Sequence, residues 1–193
     1  RSVDCECLSP YNTTMKLNVV QNSNSQPWYA QGLRFTCQQS GHCCTGGPGY
    51  VWISEEEVQR LAQHLEIPFE QAIKKYCRRI GDRLSLNEHR NIHGKYDCTF
   101  LRYERADVQP GQEQVVHSCG VCSIYPVRPL QCRTWPFWEG LLADPEAWDR
   151  AARGCPGMNQ GKLFTQAQIE ALRDAQDWPS NPPTSASSQK PTP

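Results

Sequence analysis

The sequence lacks a surplus of positive charge, because 20 Lys and Arg residues balance 20 Asp and Glu residues. Nucleic-acid binders usually carry a basic excess that neutralises phosphates, so we predict no nucleic-acid partner. The apolar runs stay far below the roughly 18 residues that a membrane-spanning helix needs, so we predict no membrane partner. No apolar leader opens the chain. Its first residue is Arg1 rather than Met, so whether a segment precedes it stays open.

Sequence motifs of nucleotide and radical chemistry are also missing. The stretch "TGGPGY" lacks the Gly-Lys-Ser/Thr ending of a phosphate-binding loop. No Gly-x-Gly-x-x-Gly fingerprint follows a predicted strand, and no radical-type Cys-x3-Cys-x2-Cys loop occurs. The sequence therefore gives no local support to a nucleotide-binding fold.

Cysteine, in contrast, is abundant, with 11 residues in a chain of 193. Two interpretations are open: disulfides in an oxidising compartment, or metal ligands in a reducing cytosol. We favour metal ligands and a cytoplasmic location, because disulfide-dense folds are usually chains below about 80 residues. The tripeptide Asn12-Thr13-Thr14 fits the N-glycosylation pattern and keeps the secreted alternative open. A catalytic cysteine would need a positioned base and a lowered pKa, and the sequence shows neither.

Composition divides the chain into three parts. Residues 1–30 form a polar lead-in, and residues 179–193 form a Pro/Ser/Thr-rich tail that we predict to be disordered. Residues 31–178 form the predicted domain. Its mixture of short helices and a small antiparallel sheet indicates the α+β class, a small single domain rich in loops.

Local patterns place the main elements of this domain. Ser54 with Glu57, and Thr165 with Gln168, form capping boxes that predict a helix after each. An apolar stripe predicts another helix over residues 67–80, "IPFEQAIKKYCRRI". Two strands are predicted over "YDCTFLRY" and "EQVVHS". Cys77 lies beside the apolar stripe and is expected to be a small buried hydrophobe.

The remaining cysteines cluster in loops. Thiolates are soft, strongly donating ligands, and four of them satisfy a zinc ion or an iron–sulfur cluster. The neighbours Cys43 and Cys44 are expected to point apart and to serve different metal atoms or different faces of one cluster. The gap between Cys119 and Cys122 suits capture of a metal by one turn. Glycines such as Gly41 and Gly46 are expected to let the backbone pass close to such a centre.

Four segments carry a resemblance to a known family. "FTCQQSGHCC", "YDCTFL", "CSIYPVRPLQCRTWPF" and "GCPG" occur in the order found in the CxxCxxCC family of zinc- or iron-chelating domains. The similarity covers Phe35 to Gly157, and its most specific segment runs from Cys122 to Phe137. Flagellin N-methylase is grouped with the same family.

The resemblance implies a set of metal ligands. One position departs from the family pattern, because Ser40 stands where a cysteine is expected, and a hydroxyl is a poorer ligand for soft metals than a thiolate. Cys119 is a possible substitute, whereas His42 and His117 are expected to be exposed or packed side chains. The cysteines that fall on the family's ligand positions are Cys37, Cys43, Cys44, Cys98, Cys122, Cys132 and Cys155.

The non-cysteine residues of the family signature also have expected physical roles. Arg128 and Arg133 flank Cys132, and each either offsets thiolate charge or forms a structural salt bridge. Pro129 is expected to fix a turn that presents Cys132. Tyr125 is expected to be a core aromatic residue rather than part of the site.

The resemblance therefore predicts a metal-binding protein that holds an iron–sulfur cluster, such as a 4Fe–4S cluster, or zinc. The number of thiols favours iron–sulfur slightly. The alternative is an S-adenosylmethionine-dependent lysine N-methylase similar to flagellin N-methylase, which rests on analogy alone. Whether the protein is an enzyme, and which protein partner it has, stay open.

Overall fold

The computed structural model, which describes residues 26–105 and 118–179, consists of short helices and short strands joined by loops. The helices are α1 Glu55–His64, α2 Phe69–Tyr76, α3 Leu130–Thr134, α4 Glu139–Leu142, α5 Pro145–Ala152 and α6 Gln166–Asp174. The strands are β1 Leu33–Phe35, β2 Thr45–Gly46, β3 Trp52–Ile53, β4 Cys77–Ile80, β5 Arg83–Leu86, β6 Glu88–Arg90, β7 Tyr96–Cys98, β8 Leu101–Arg105, β9 Ser118–Cys122 and β10 Met158–Phe164. Two short 3-10 helices cover His42–Cys44 and Tyr125–Val127.

The strands in these ranges form four small antiparallel sheets. β1 pairs with β10, and β8 pairs with β9. The other two sheets have three strands each, in the orders β2-β7-β6 and β3-β5-β4. The predicted short helices and antiparallel pairing are therefore confirmed, but the described residues form four small sheets instead of the single small sheet that was predicted.

Both predicted capping boxes are present, but the predicted helix over residues 67–80 is wrong in its last four residues. The side chains of Ser54 and Thr165 each accept the backbone N–H three residues ahead. α2 ends at Tyr76, and Cys77–Ile80 is a strand that pairs with β5. A tight turn at Gly81, with φ of 61°, makes this hairpin possible, and its backbone hydrogen bonds replace those of another helical turn.

The strand prediction over residues 96–103 is right in type but misses a break. β7 ends at Cys98, and β8 begins at Leu101. β8 pairs with β9, which extends beyond the predicted second strand as far as Cys122. Residues 113–117 of that prediction lie outside the described ranges.

Two apolar clusters flank the predicted cysteine site. The first contains Leu61, Leu86 and Phe100, and Cys98 and Cys122 pack against it. The second is built around Phe137 and other buried residues of the C-terminal part, and Cys155 packs against that one. The cysteines therefore lie where the two cores meet.

Several predictions concern residues outside the described ranges, namely most of the polar lead-in, the glycosylation tripeptide, the tail from residue 180 onward, and His117. Cys5 and Cys7 also lie there, and only the backbone of Cys119 is described. Within residues 26–105 and 118–179, no helix has the length and apolar character needed to cross a lipid bilayer.

Candidate metal centre

The first cysteine loop is held in place by a contact between two glycines. Gly41 begins the 3-10 helix that carries Cys43 and Cys44, and its φ of 72° is a left-handed value that favours glycine. A methyl group on Gly41 would lie 2.7 Å from the α-carbon of Gly120 in β9. The loop backbone therefore approaches β9 as closely as two glycines allow, next to Cys122.

Gly46 behaves differently from Gly41. No described atom lies within 4 Å of a methyl group built on Gly46, and its φ is 159°. Gly41 and Gly46 were both predicted to permit a close approach of the backbone. Among the described residues, Gly41 makes such an approach and Gly46 does not.

Cys98 and Cys122 reach the same region from two neighbouring strands. Cys98 ends β7, and Cys122 ends β9. The N–H of Ser123 donates to the carbonyl of Phe100 at 3.0 Å, which keeps the ends of the two segments together.

Cys132 lies on α3, which a buried carboxylate holds against α1. Oε1 of Glu57 accepts the N–H of Leu130 at 2.7 Å, and Oε2 of Glu57 accepts the N–H of Ser54 at 3.1 Å. Gln131 adds a second connection, because its Oε1 accepts the N–H of Trp52 at 2.6 Å. These buried hydrogen bonds fix the short helix that presents Cys132.

Cys155 follows α5 and has an aromatic hydrogen-bond partner. The indole Nε1 of Trp135 donates to Sγ of Cys155 over 3.5 Å. Nδ1 of His42 donates to the carbonyl of Gly154 at 3.0 Å, so His42 connects the first loop to the Cys155 turn. His42 is exposed, as expected, and does not line the cysteine cavity.

All seven cysteines that the family resemblance singled out line one cavity of about 50 Å³. Ser40, Tyr125, Arg128 and Trp135 line it as well. No disulfide joins any of the eight cysteines whose side chains are described. The chain thus brings together thiols from widely separated segments: Cys37, Cys43, Cys44, Cys98, Cys122, Cys132 and Cys155.

The sulfurs of the cavity are only partly spaced as the ligands of a preformed metal-ion site would be. A tetrahedral zinc ion with Zn–S bonds of about 2.3 Å holds its sulfurs about 3.8 Å apart. Sγ of Cys43 lies 3.9 Å from Sγ of Cys44, so this pair meets that spacing. These neighbours were expected to point apart, and that expectation is wrong, because the 3-10 turn brings both sulfurs to one side. Among the described residues, no three His, Cys, Asp or Glu side chains form a ready-made site for a metal ion.

The contact between the sulfurs of Cys43 and Cys44 moves the pKa values of the two thiols in opposite directions. The hydrogen bond from the Cys44 thiol lowers the pKa of Cys43 to about 7, and the positive charge of Arg128 contributes in the same direction. The same hydrogen bond, together with burial, raises the pKa of Cys44 above its ordinary value. Cys43 is therefore the thiol of this pair that ionises first.

Burial dominates the acidity of three further thiols. It raises the pKa of Cys98 to about 11, and it also raises the pKa of Cys122 and of Cys132. The charge of Arg128 opposes the rise at Cys122 and Cys132. A metal cation would favour the thiolate form of these buried groups, because metal ligation requires deprotonated sulfur.

Arg128 and Arg133 have separate roles. The guanidinium of Arg128 lies 3.6 Å from the ring centre of Tyr125, and its Nε donates to the carbonyl of Tyr125 at 3.0 Å. This arrangement holds Arg128 at the cavity wall. Arg133 points elsewhere and forms an ion pair with Glu57 at 3.2 Å. Of the two cations, only Arg128 lines the cavity.

Tyr125 is a wall residue, contrary to the expectation of a core aromatic. It is half-buried and lines the cavity. Burial raises the pKa of Tyr125, and its hydrogen bond to Cys37 adds to that rise. The contacts of Trp135 and Gly120 were not predicted, because both join segments that are distant in sequence and no local pattern signals them.

Cys77 is separate from the cavity cysteines. It is 8% exposed, lies in the first apolar cluster, and does not line the cavity. This placement agrees with the prediction of a small buried hydrophobe.

Comparison with known proteins gives a relative of undetermined function and a family. The chain is 28% identical over 109 residues to "Uncharacterized protein MJ0661" of Methanocaldococcus jannaschii. That match covers 56% of this chain and 48% of the relative, so the chain spans about half of the relative's length. No solved structure matches the chain.

The family match covers more of the chain. A family model described as "Putative zinc- or iron-chelating domain" matches residues 36–156, the range that contains all seven cavity cysteines. This protein belongs to the CxxCxxCC family.

Proposed function

We infer that this protein binds a thiophilic metal centre through its seven cavity cysteines. The convergence of these side chains on one cavity supports this function most directly. Free thiols at this density have no packing purpose, and the donor set is that of zinc and iron–sulfur proteins. The residues that we propose as ligands are Cys37, Cys43, Cys44, Cys98, Cys122, Cys132 and Cys155.

Between the two metals, we favour an iron–sulfur cluster such as a 4Fe–4S cluster over zinc. A zinc ion and a 4Fe–4S cluster each take four cysteine ligands, so the seven thiols around the cavity do not by their number choose between them. A cluster holds its cysteine sulfurs farther apart than a single ion does. That spacing is compatible with a cavity in which no three side chains form a ready-made ion site among the described residues.

The free thiols also support a reducing compartment. None of the eight described cysteines is in a disulfide, as is usual for cytosolic proteins. A cytoplasmic location is therefore part of the proposed function. The methylase alternative stays a prediction, because no feature of the described residues favours it over metal binding.

Metal analysis of protein purified without air tests the proposed function. We expect iron and acid-labile sulfide in stoichiometric amounts, with a broad visible absorption band that dithionite bleaches. A colourless protein with stoichiometric zinc would retain the metal-binding function and reverse the choice of metal. Protein that binds neither metal after reconstitution would contradict the proposed function.

Thiol substitution identifies the ligands. We expect Cys132→Ser and Cys44→Ser to lose most of the bound metal, because a hydroxyl is a poor ligand for soft metals. Cys77→Ser is the matched control, since Cys77 lies outside the cavity. Mass spectrometry after alkylation should show the cavity cysteines protected in loaded protein and reactive after metal removal. Equal metal loss in all three variants would show that the cysteines act only through stability.

A further inference from the structure

A second pocket adjoins the cysteine cavity and shares one wall with it. This neighbouring pocket has a volume of about 210 Å³. Binding sites for drug-sized ligands usually exceed about 300 Å³, so this pocket suits a smaller molecule. The cysteines that line both spaces are Cys43, Cys44, Cys98 and Cys132.

The shared wall becomes negatively charged when its sulfurs hold a metal. Thiolates carry one negative charge each, so four of them would outweigh the positive charge of an iron–sulfur core or of a divalent zinc ion and leave a net negative centre. Among the described residues that line the neighbouring pocket, none is Lys, Arg or His. Arg128, the cation of the cysteine cavity, is not among them.

Glu88 adds a carboxylate to the pocket. Its side chain is 10% exposed, and its Oε2 accepts hydrogen bonds from Arg78 at 2.9 Å and from the N–H of Gly49 at 3.2 Å. Within the described part of the chain, no hydrogen bond reaches its other oxygen, Oε1. Arg78 offsets part of the negative charge of Glu88, but it is not among the residues that line the pocket.

Aromatic rings complete the wall. Tyr50, Tyr96, Trp135 and Trp138 line the pocket, and the guanidinium of Arg78 already lies 5.4 Å from the ring centre of Tyr50, which leaves the other three rings for a ligand. The indole N–H groups of both tryptophans are already occupied, by Sγ of Cys155 and by the carbonyl of Gln131, so neither group is free to donate to a ligand. Aromatic faces attract organic cations through the ring quadrupole.

The glycine loop leaves the pocket open. Gly46 and Gly47 line it, and a methyl group on either one would meet no described atom within 4 Å. A side chain there would instead project into open space. The "TGGPGY" stretch thus keeps one side of the pocket clear, a role that the sequence alone did not indicate.

We propose that this pocket binds a small organic ammonium ion, held between the aromatic rings and Glu88 against the metal-bearing cysteine wall. The proposal rests on the proposed function, because the thiolate charge depends on bound metal. The bound cation would lie next to the proposed metal centre.

The test compares choline with 3,3-dimethylbutanol, a neutral molecule of nearly the same shape. Calorimetric titrations use full-chain protein whose metal content has been measured. We expect choline to bind at least about tenfold more tightly than the neutral analogue, in line with cation–π and carboxylate attraction. Equal affinities, or no choline binding to metal-loaded protein, would overturn the proposal and leave the proposed function standing. Protein that takes up no metal would instead contradict the proposed function.

Variants locate the binding to this pocket. Tyr96→Leu should weaken choline binding about fivefold or more, whereas Tyr96→Phe should retain it, because the ring is kept. Glu88→Gln should weaken binding, and Glu70→Gln, at an exposed carboxylate on α2, is its matched control. If Tyr96→Leu and Glu88→Gln both retain wild-type affinity, choline binds elsewhere and the proposal is wrong. A lysine-containing peptide is titrated as a further ligand. Tight binding of the peptide without binding of choline would also overturn the assignment of this pocket to a small organic ammonium ion.

Discussion

Gly41 and Gly120 lie backbone against backbone, so that a methyl group on Gly41 would stand 2.7 Å from the α-carbon of Gly120. The reverse substitution is also crowded, since a methyl group on Gly120 would lie 3.0 Å from the α-carbon of Gly41. This contact positions the first cysteine loop beside the strand that ends at Cys122. The geometry of the proposed metal centre therefore depends on two residues that contribute no ligand.

Gly41→Ala should separate the first loop from β9. We expect it to reduce metal affinity at least about tenfold and to lower the free energy of unfolding by about 1–3 kcal/mol, because alanine is strained at positive φ and clashes with Gly120. Metal titration and denaturant unfolding check this. Gly140→Ala is the control, since no described atom lies within 4 Å of its added methyl group. Unchanged metal affinity in Gly41→Ala would show that the loop does not need this contact.

Arg128→Gln should weaken metal binding by about five- to tenfold, because it removes the cation at the thiol cavity. Arg133→Gln provides the comparison, since Arg133 pairs with Glu57 and does not line the cavity. We expect Arg133→Gln to lower stability by about 1 kcal/mol and to leave metal affinity unchanged. Competition with a chromogenic chelator measures both affinities. The same affinity loss in both variants would contradict separate roles.

Trp135→Phe should speed the loss of metal to a chelator about tenfold, because it removes the indole N–H that donates to Cys155 over 3.5 Å. Trp148→Phe is a matched control, since the indole of Trp148 donates to Oδ1 of Asn159 at 2.8 Å and not to sulfur. We expect that control to lose stability without a change in metal exchange rate. Stopped-flow measurements with excess chelator distinguish the two outcomes.

Because Cys77 is buried, the free energy of unfolding should depend on pH in the alkaline range. Burial raises the pKa of Cys77 to about 11, above about 8.5 for a free cysteine. The stabilising effect of the neutral buried thiol is complete below pH of about 8.5 and is lost as the pH rises toward 11. We expect the free energy of unfolding of metal-loaded protein to fall by up to about 3 kcal/mol over this range from this group.

Cys77→Ala should reduce this alkaline slope, although it also costs some packing energy at every pH. Denaturant unfolding of both proteins between pH 8 and about 11 measures the difference. Parallel pH profiles for the two proteins would show that Cys77 ionises as freely when folded as when unfolded.

Local signals in the sequence predicted local structure well. Ser54 and Thr165 specify helix starts through side-chain hydrogen bonds three residues away, and both starts are confirmed. The helix over residues 67–80 failed at Cys77 because pairing with β5 overrides an apolar stripe that helices and strands share. No local pattern in the sequence indicates that pairing.

The candidate site also combines features that were predicted from the sequence with features that were not. Family resemblance supplied the seven cysteines, and the structure places them around one cavity. It did not supply the turn that brings the sulfurs of Cys43 and Cys44 to one side, nor the position of Tyr125 in the wall. The turn is local but lies against β9 through the contact of Gly41 with Gly120, and the position of Tyr125 depends on contacts between distant segments, which no single sequence pattern encodes.

The pairing of β1 with β10 has a consequence for biosynthesis. Leu33 lies opposite Phe164, so the strand just before Cys37 finds its partner only after Cys155 has been made. A ribosome-bound chain that ends before Phe164 cannot bring the first and last cysteines of the cavity, Cys37 and Cys155, together in this way. We therefore expect delivery of the proposed metal to follow emergence of that strand, so that a carrier would act late in translation or after release from the ribosome.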